Sequence, residues 1–166
     1  TGFAAFLNDA SLFTKSHGNK EVLTVDDIFV APDLDRYNEE KDKHEKINFD
    51  NVCSKFSLGA KIIIAGEDQS GKSTLAKELV RRLKKRNFIP IYLKDEEQLL
   101  QGNLDYRMGQ LFKEQYDTAY ELSDFDQVRI VPVVDDFHKA HKREKALQRL
   151  DKYKQLILIV DTIFDI

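Results

Sequence analysis

One short segment of the sequence has residue types and spacing suited to holding phosphate. Gly66–Ser73 reads GEDQSGKS and matches GxxxxGK[ST], a pattern whose glycines let a loop fold around phosphate with its backbone N–H groups pointing inward. An apolar run of strand length precedes the segment, and residues of helical period follow it. The sequence therefore predicts a phosphate-binding loop, or P-loop, between a strand and a helix.

The polar residues of this loop have distinct predicted roles. Lys72 should reach the β- and γ-phosphates of a nucleotide and assist catalysis as a positive charge, and the Ser73 hydroxyl should bind Mg²⁺. Thr74 should lie near the α-phosphate, where the positive end of the following helix adds to the attraction for anions. The predicted nucleotide contacts of this segment are Gly66, Asp68, Gln69, Ser70, Gly71, Lys72, Ser73 and Thr74.

A second segment ends an apolar run with two acids, Asp135 and Asp136. Hydrolysis of a nucleoside triphosphate needs one group that holds Mg²⁺ and one that prepares water, so Asp135 is predicted to hold the metal through water and Asp136 to act as general base. Alternatively, Asp136 caps a segment that begins at Phe137. Pro132 lacks the N–H that a central strand uses, which suggests a bulge or an edge location.

Two more polar residues follow the last apolar run of the chain. Asp161 and Thr162 come directly after Leu156–Val160, where a polar side chain could sense the γ-phosphate of a nucleotide. The alternative is an ordinary turn. Both residues are kept as candidate nucleotide contacts.

The order of apolar runs predicts the elements that position these residues. From Ala60 onward, strand-length runs alternate with segments of helical period, which is typical of βαβ units and a parallel sheet. A helical stripe from Leu75 to Leu83 follows the P-loop, and a second one runs from Leu104 to Ala119. The predicted strands are 61–65, 89–93, 129–134 and 156–160.

The chain before this α/β pattern has a different character. We assign residues 58–166 to the α/β domain and residues 1–57 to an N-terminal extension or linker. Within the extension we expect a short helix in the first twenty residues, an extended segment or hairpin arm at 22–32 and a solvated linker or helix face at 39–46.

Composition narrows the function classes. A chain of 166 residues that is 42% hydrophobic can bury one core, and no apolar run approaches the roughly 18 residues needed to cross a bilayer. The net charge of −3, with mixed signs, does not favour nucleic acid as a partner. Leucines at helical spacing interrupt the basic runs 81–86 and 139–149, which favours solvated helix faces over a nucleic-acid surface. One cysteine, Cys53, permits no internal disulfide and suits a cytoplasmic location.

With these motifs in place, the chain resembles the STAND signal-transducing NTPases, in particular their NACHT-like bacterial members. The resemblance rests on Gly66–Thr74, on the DDFH segment Asp135–His138 and on LTVDDIFVAPDL at Leu23–Leu34, and it covers most of the chain. It implies an α/β P-loop NTPase fold, a three-layer sandwich with a mainly parallel sheet of order 5-1-4-3-2. The fourth strand would then lie beside the P-loop strand, with Asp161 or Thr162 in the sensor position.

The resemblance also implies a function, an ATP-binding and slowly hydrolysing switch in a larger multidomain signalling protein. The chain begins at Thr1 and ends at Ile166, and we interpret it as a piece of such a protein. The fifth strand, an upstream effector domain and a downstream sensor domain would lie outside it, and the full-length protein would form homo-oligomers, often in bacterial defence. ATP is favoured over GTP because the guanine-selecting pattern N-K-x-D does not occur.

Two other functions remain open from the sequence. SGKSTLAKEL at Ser70–Leu79 is also typical of small-molecule and nucleotide kinases, although a kinase has less use for an acid pair after the third strand. The other alternative is a module that binds nucleotide without turnover, for which Pro132 and the point where the chain ends are the support.

Overall fold

The computed structural model describes residues 2–9, 24–25, 29–38, 40–54, 56, 59–94, 103–140 and 142–162. Its helices are α1 Gly2–Asn8, α2 Phe49–Ser54, α3 Lys72–Lys85, α4 Leu104–Tyr116 and α5 Arg143–Leu150. Its strands are β1 Leu34–Asn38, β2 Lys43–Ile47, β3 Lys61–Gly66, β4 Ile89–Leu93, β5 Ile130–Val134 and β6 Leu156–Asp161. In the described part of the chain, no helix has the length and apolar character needed to cross a membrane.

Four strands form a parallel sheet of order β3-β6-β5-β4. The predicted α/β class is confirmed. β6 lies between β3, which precedes Gly66–Ser73, and β5, which precedes Asp135, and this is the position that the resemblance implied. β6 pairs with β3 along its whole length, from Lys61 opposite Leu156 to Gly66 opposite Asp161. The carboxyl ends of these two strands therefore meet at one end of the sheet.

Side-chain alternation gives the sheet two buried faces. Successive residues of a strand point to opposite faces, so residues of one parity pack together. One face packs against α4 and α5 through Ile91, Val134, Leu158 and Val160. The other face packs against α3 through Tyr92, Val133, Ile157 and Ile159. Helices therefore cover both faces, and every residue of β4 and β5 is buried.

The two longer helices follow the predicted stripes. On α3 the buried apolar residues include Leu75, Leu79 and Leu83, and the helix ends shortly before Asn87, which has a left-handed φ of 67°. α4 begins at the Asn103 cap, whose side chain accepts from the N–H of Asp105, and it ends before Asp117, which is also left-handed. The predicted second stripe was therefore too long at its end, because Ala119 lies beyond the point where the backbone leaves the helix.

Pro132 lies in a central strand, not at an edge. β5 pairs with β4 along its whole length, whereas its pairing with β6 covers only Val133 opposite Ile157 and Val134 opposite Leu158. The proline therefore precedes the start of the β5–β6 ladder and interrupts none of its described pairs. This explains how the strand accommodates a residue without an N–H.

The N-terminal extension contains a hairpin that the sequence analysis missed. β1 and β2 pair antiparallel, and the turn between them includes Asp42 with a left-handed φ of 47°. Part of the predicted charged linker at 39–46 is thus a strand, stabilised across the hairpin by an ion pair between Arg36 and Glu45. Charged residues weaken the alternation of apolar and polar residues by which exposed strands are recognised. Most of the predicted extended segment at 22–32 lies outside the described residues.

Other parts of the extension pack on the core of the sheet. Leu7 of α1 and Phe49 of α2 are buried in the same apolar cluster as α3. Arg82 of α3 lies 4.5 Å above the centroid of the Phe49 ring and pairs with Asp50. The short helix expected in the first twenty residues is present as α1.

Gln115 of α4 forms hydrogen bonds with the backbone of β4 at the outer edge of the sheet. The Tyr92 N–H donates to Gln115 Oε1 at 3.0 Å, and Gln115 Nε2 donates to the Tyr92 carbonyl at 2.7 Å. The Tyr116 hydroxyl donates to the Pro90 carbonyl at 3.0 Å. An unpaired strand edge is a template for pairing with another chain, so these side chains occupy bonds that a further strand would otherwise make.

We expect Gln115→Ala to lower the free energy of unfolding by about 1–3 kcal/mol, because it leaves the buried N–H and carbonyl of Tyr92 without their partners. Glu114→Ala, at the exposed neighbouring position, is the control and should change stability by no more than about 0.5 kcal/mol. Urea unfolding of both variants measures the difference. Equal effects would contradict a role for Gln115 at this edge.

Candidate functional site

The predicted P-loop lies between the end of β3 and the start of α3. Gln69 and Gly71 have left-handed φ values of 59° and 85°, and the Ser70 N–H donates to the Glu67 carbonyl at 3.2 Å. Alternation between left-handed and other conformations turns backbone N–H groups of a loop toward one concave side. The loop therefore has the backbone shape of an anion-binding nest.

The first turn of α3 faces the same loop. Gly71 occupies the cap position, and among the described residues no side chain caps the helix there. The N–H groups of a first turn have no partner within the helix, and together with the helix dipole they attract anions. Ser73 and Thr74 lie in this turn, so their hydroxyls and N–H groups adjoin the loop.

Gly66 is held close to the side chains of its own loop. A Cβ added at this residue would lie 2.8 Å from the Ser70 hydroxyl and 3.3 Å from Lys72 Cγ. A methyl group would therefore displace both side chains. The glycine keeps open the space in which the loop and the lysine meet.

Lys72 and Asp161 meet at the mouth of the loop. The Lys72 ammonium donates to the Gly66 carbonyl at 2.8 Å and to the Glu67 carbonyl at 2.5 Å, and it lies 3.9 Å from the Asp161 carboxylate. The Thr162 N–H donates to the Gly66 carbonyl at 3.2 Å. The β3–β6 register thus brings Asp161 and Thr162 beside the P-loop. Whether they contact nucleotide stays a prediction.

Asp135 is a buried carboxylate on the α3 face of the sheet. Its N–H donates to the Leu93 carbonyl at 2.8 Å, so strand geometry continues through this residue. The Asp135 side chain therefore points to the same face of the sheet as that of Val133, two residues earlier. The Tyr92 hydroxyl donates to Oδ2 at 2.7 Å, and the Asp136 N–H donates to Oδ1 at 3.0 Å. Burial, followed by the charge of Asp135, raises the pKa of Tyr92, which keeps its hydroxyl a neutral donor.

Asp136 precedes a short turn, and its side chain binds a lysine of that turn. It stands at the cap position of the short 3₁₀ turn Phe137–Lys139 with a left-handed φ of 56°, but no described cap bond involves its side chain. Its carboxylate accepts from Lys139 Nζ at 2.7 Å, and this hydrogen bond raises the pKa of Lys139. The predicted cap position of Asp136 before Phe137 is therefore confirmed, but its side chain binds Lys139 and not a backbone N–H.

Two side chains at the carboxyl end of the sheet are oxygen donors of the kind that Mg²⁺ binds. In the described ranges, no three acids, histidines or cysteines converge to form a cation cage. Mg²⁺ commonly keeps several waters and binds through one or two protein oxygens and the phosphates of its substrate. The Ser73 hydroxyl and the Asp135 carboxylate supply oxygens of this kind, and each Asp135 oxygen retains a lone pair for water.

A cavity of about 550 Å³ adjoins the P-loop. Its lining includes residues Ser70–Thr74 of the loop and the helix start, together with residues of the N-terminal extension. The apolar residues that the extension contributes are Val25, Phe29, Val30, Pro32 and Leu34. No pattern in the sequence predicts this lining, although all five residues lie in the stretch Leu23–Leu34 on which the resemblance partly rests. Val30 is 84% exposed, so its side chain is accessible to a ligand in this cavity.

A second cavity, of about 540 Å³, lies beside α4 and the beginning of β5. Its lysines are already engaged, because Lys113 pairs with Glu121 and Lys152 pairs with Asp105. The cavity beside the P-loop is therefore better suited to phosphate, since it combines Lys72 with an uncapped helix start.

Comparison of the chain with protein-family models, curated proteins and solved structures gave no match. The chemistry of the site is therefore inferred from its residues and geometry. Membership of the STAND group stays a prediction.

We expect Gly71→Ala and Gly109→Ala to have opposite effects on stability. Alanine at position 71 must adopt a φ of 85°, which costs about 1–2 kcal/mol. Gly109 lies inside α4 with open space around its Cα among the described residues, so alanine there should stabilise by about 0.5–1 kcal/mol. Urea unfolding measures both. A neutral or stabilising Gly71→Ala would contradict the left-handed loop.

Proposed function

We propose that this chain binds ATP with Mg²⁺ and serves as the nucleotide-dependent switch domain of a STAND-type P-loop NTPase. The observation that carries the proposal is the loop between β3 and α3, where a nest of N–H groups, an uncapped helix start and Lys72 converge. The parallel sheet with helices on both faces supports the finer assignment to a three-layer P-loop NTPase fold.

The phosphates of the nucleotide would replace the contacts that Lys72 makes within its own loop. The Lys72 side chain is 11% exposed and its ammonium donates to two carbonyls, so it is held at the mouth of the nest. Phosphate oxygens are stronger partners for an ammonium than neutral carbonyls because both members of the pair are charged. Lys72 would then move from the Gly66 and Glu67 carbonyls to the β- and γ-phosphates.

The base of the nucleotide would occupy the apolar side of the adjoining cavity. A volume of about 550 Å³ lies in the range of small-molecule sites, which are mostly apolar with a few polar groups that fix orientation. Phe29, Val30 and Pro32 offer surfaces on which a flat base can pack. The N-terminal extension would thus be part of the binding site.

Ser73 and Asp135 would hold Mg²⁺, the first directly and the second through water. The ion would supply positive charge at the phosphates. Asp136 would orient the attacking water, but its carboxylate is paired with Lys139 at 2.7 Å. This pair occupies a carboxylate oxygen that would otherwise bind the water and so favours slow turnover.

The same ion pair also supports a second candidate function, a module that binds nucleotide without turnover. A general base must contact the water that it deprotonates, and an acid that remains paired with Lys139 has one oxygen occupied. Measurement of ATP hydrolysis by the wild-type chain and by Lys139→Ala distinguishes the two functions, because faster hydrolysis in the variant indicates an active but restrained site.

In the switch interpretation, the chain belongs to a larger cytoplasmic protein. Nucleotide binding would be coupled to homo-oligomerisation, and effector and sensor domains outside this chain would provide output and input.

We expect Lys72→Ala to weaken Mg²⁺–ATP binding by about 1.5–3 kcal/mol, because it removes a charge-assisted phosphate contact. The control is Lys85→Ala, an exposed lysine in the last turn of α3, which should bind as the wild type does. Isothermal titration calorimetry with ATP and GTP gives both affinities, and ATP should bind more tightly. Unchanged ATP affinity in a folded Lys72→Ala variant would refute the phosphate site, and phosphate transfer that depends on an added acceptor would favour a kinase.

We expect Val30→Ser to weaken ATP binding by about 1 kcal/mol and to leave pyrophosphate binding unchanged, because the valine would contact the base and not the phosphates. Stability should change by no more than about 0.5 kcal/mol, since the side chain is largely exposed. Tyr106→Ser, at a tyrosine that lines the second cavity, serves as the matched control and should alter neither affinity. An equal loss for both ligands would rule out the base pocket.

A further inference from the structure

Tyr92 connects the edge strand of the sheet to the candidate metal-binding acid. It lies in β4, is 5% exposed, and its hydroxyl donates to Asp135 Oδ2 at 2.7 Å. Tyr92 pairs with Val133 across the ladder, and Asp135 follows Val133 by two residues, so both side chains emerge on the face that packs against α3. The contact therefore follows from the sheet register.

Three contacts hold the tyrosine itself in place. Gln115 binds both its N–H and its carbonyl, and the Phe6 ring of α1 packs against its ring with centroids 5.3 Å apart. A buried ring with a clamped backbone has few alternative rotamers. These contacts fix the position of the Tyr92 hydroxyl beside Asp135.

The chemistry of this donor suits a carboxylate that must keep its charge. A lysine or arginine would neutralise Asp135, whereas a tyrosine hydroxyl orients the carboxylate and leaves its negative charge available to a cation. Within the described ranges, no basic side chain forms an ion pair with Asp135. Tyr92 and the Asp136 N–H each occupy one oxygen, and about one lone pair on each oxygen remains for water.

We propose that Tyr92 is a positioning residue that holds the Asp135 carboxylate in the orientation that receives Mg²⁺ bound with nucleotide. This inference rests on the proposed function, because it assigns Asp135 to the metal. A purely structural role would affect stability alone. A positioning role also changes how much Mg²⁺ contributes to nucleotide affinity.

The test compares the hydroxyl of Tyr92 in β4 with that of Tyr116 in α4, which binds the backbone of the same strand. Tyr92→Phe removes the bond to Asp135, and Tyr116→Phe removes a partly buried bond to the Pro90 carbonyl that does not involve Asp135. ATP affinity is measured for each by calorimetry, once with Mg²⁺ and once with EDTA, and thermal unfolding is recorded in parallel. The ratio of the two affinities reports the contribution of the metal without requiring turnover.

We expect Tyr92→Phe to lower this ratio about tenfold or more, as partners of metal-binding groups commonly do, while affinity in EDTA stays at the wild-type value. Tyr116→Phe should leave the ratio unchanged, even if it lowers stability. In an Asp135→Asn background, Tyr92→Phe should have no additional effect on the ratio. If Tyr92→Phe does not fold, Gln115→Ala loosens the support of Tyr92 and should lower the ratio in the same direction.

Equal ratios in the wild type and Tyr92→Phe, with a clear Mg²⁺ contribution in both, would overturn the positioning role and leave the proposed function intact. A wild-type chain that binds ATP with no Mg²⁺ contribution, or does not bind ATP, would overturn both. A lower ratio in Tyr116→Phe would also overturn the positioning role, because the effect would then be general to the strand.

Discussion

The insertion of β6 between β3 and β5 is the constraint on which the arrangement of the site depends. It places Gly66 opposite Asp161 and thereby brings the end of the last strand against the P-loop. It also leaves β5, with its terminal acids, one strand away from the loop. In a parallel sheet all carboxyl ends share one edge, so a single strand order assembles the loop, Asp135 and Asp161 at one end of the molecule.

Burial of both sheet faces makes this order rigid. β4 and β5 are buried along their whole length, so a shift of one residue would move a complete set of apolar side chains to the opposite face. Val133 and Ile159 are buried beneath α3, and Asp135 and Asp161 each follow one of them by two residues. The two acids therefore point to the same side of the sheet at the strand ends. The direction of the acids is therefore a consequence of apolar packing.

The N-terminal extension has a larger part in the site than its charged sequence suggests. Its apolar segment contributes to the lining of the cavity beside the P-loop, and Phe6 of α1 packs on the tyrosine that binds Asp135. Residues far apart in the chain thus support two sides of one candidate site. Substitutions in the extension that remove this packing would therefore alter the position of Asp135 and the shape of the cavity without changing any residue of the P-loop.

The sequence by itself determined the local elements, because strand-length apolar runs, a helical stripe and a glycine-rich pattern are properties of neighbouring residues. The four sheet strands, α3 and the conformation suited to phosphate all follow from such short-range signals. Only the tertiary structure decided the partners of Asp135 and Asp136, the central place of Pro132, the hairpin in the extension and the lining of the cavity. These features arise from contacts between residues distant in sequence or from charged, weakly patterned segments, so their physical cause is the packing of the whole chain.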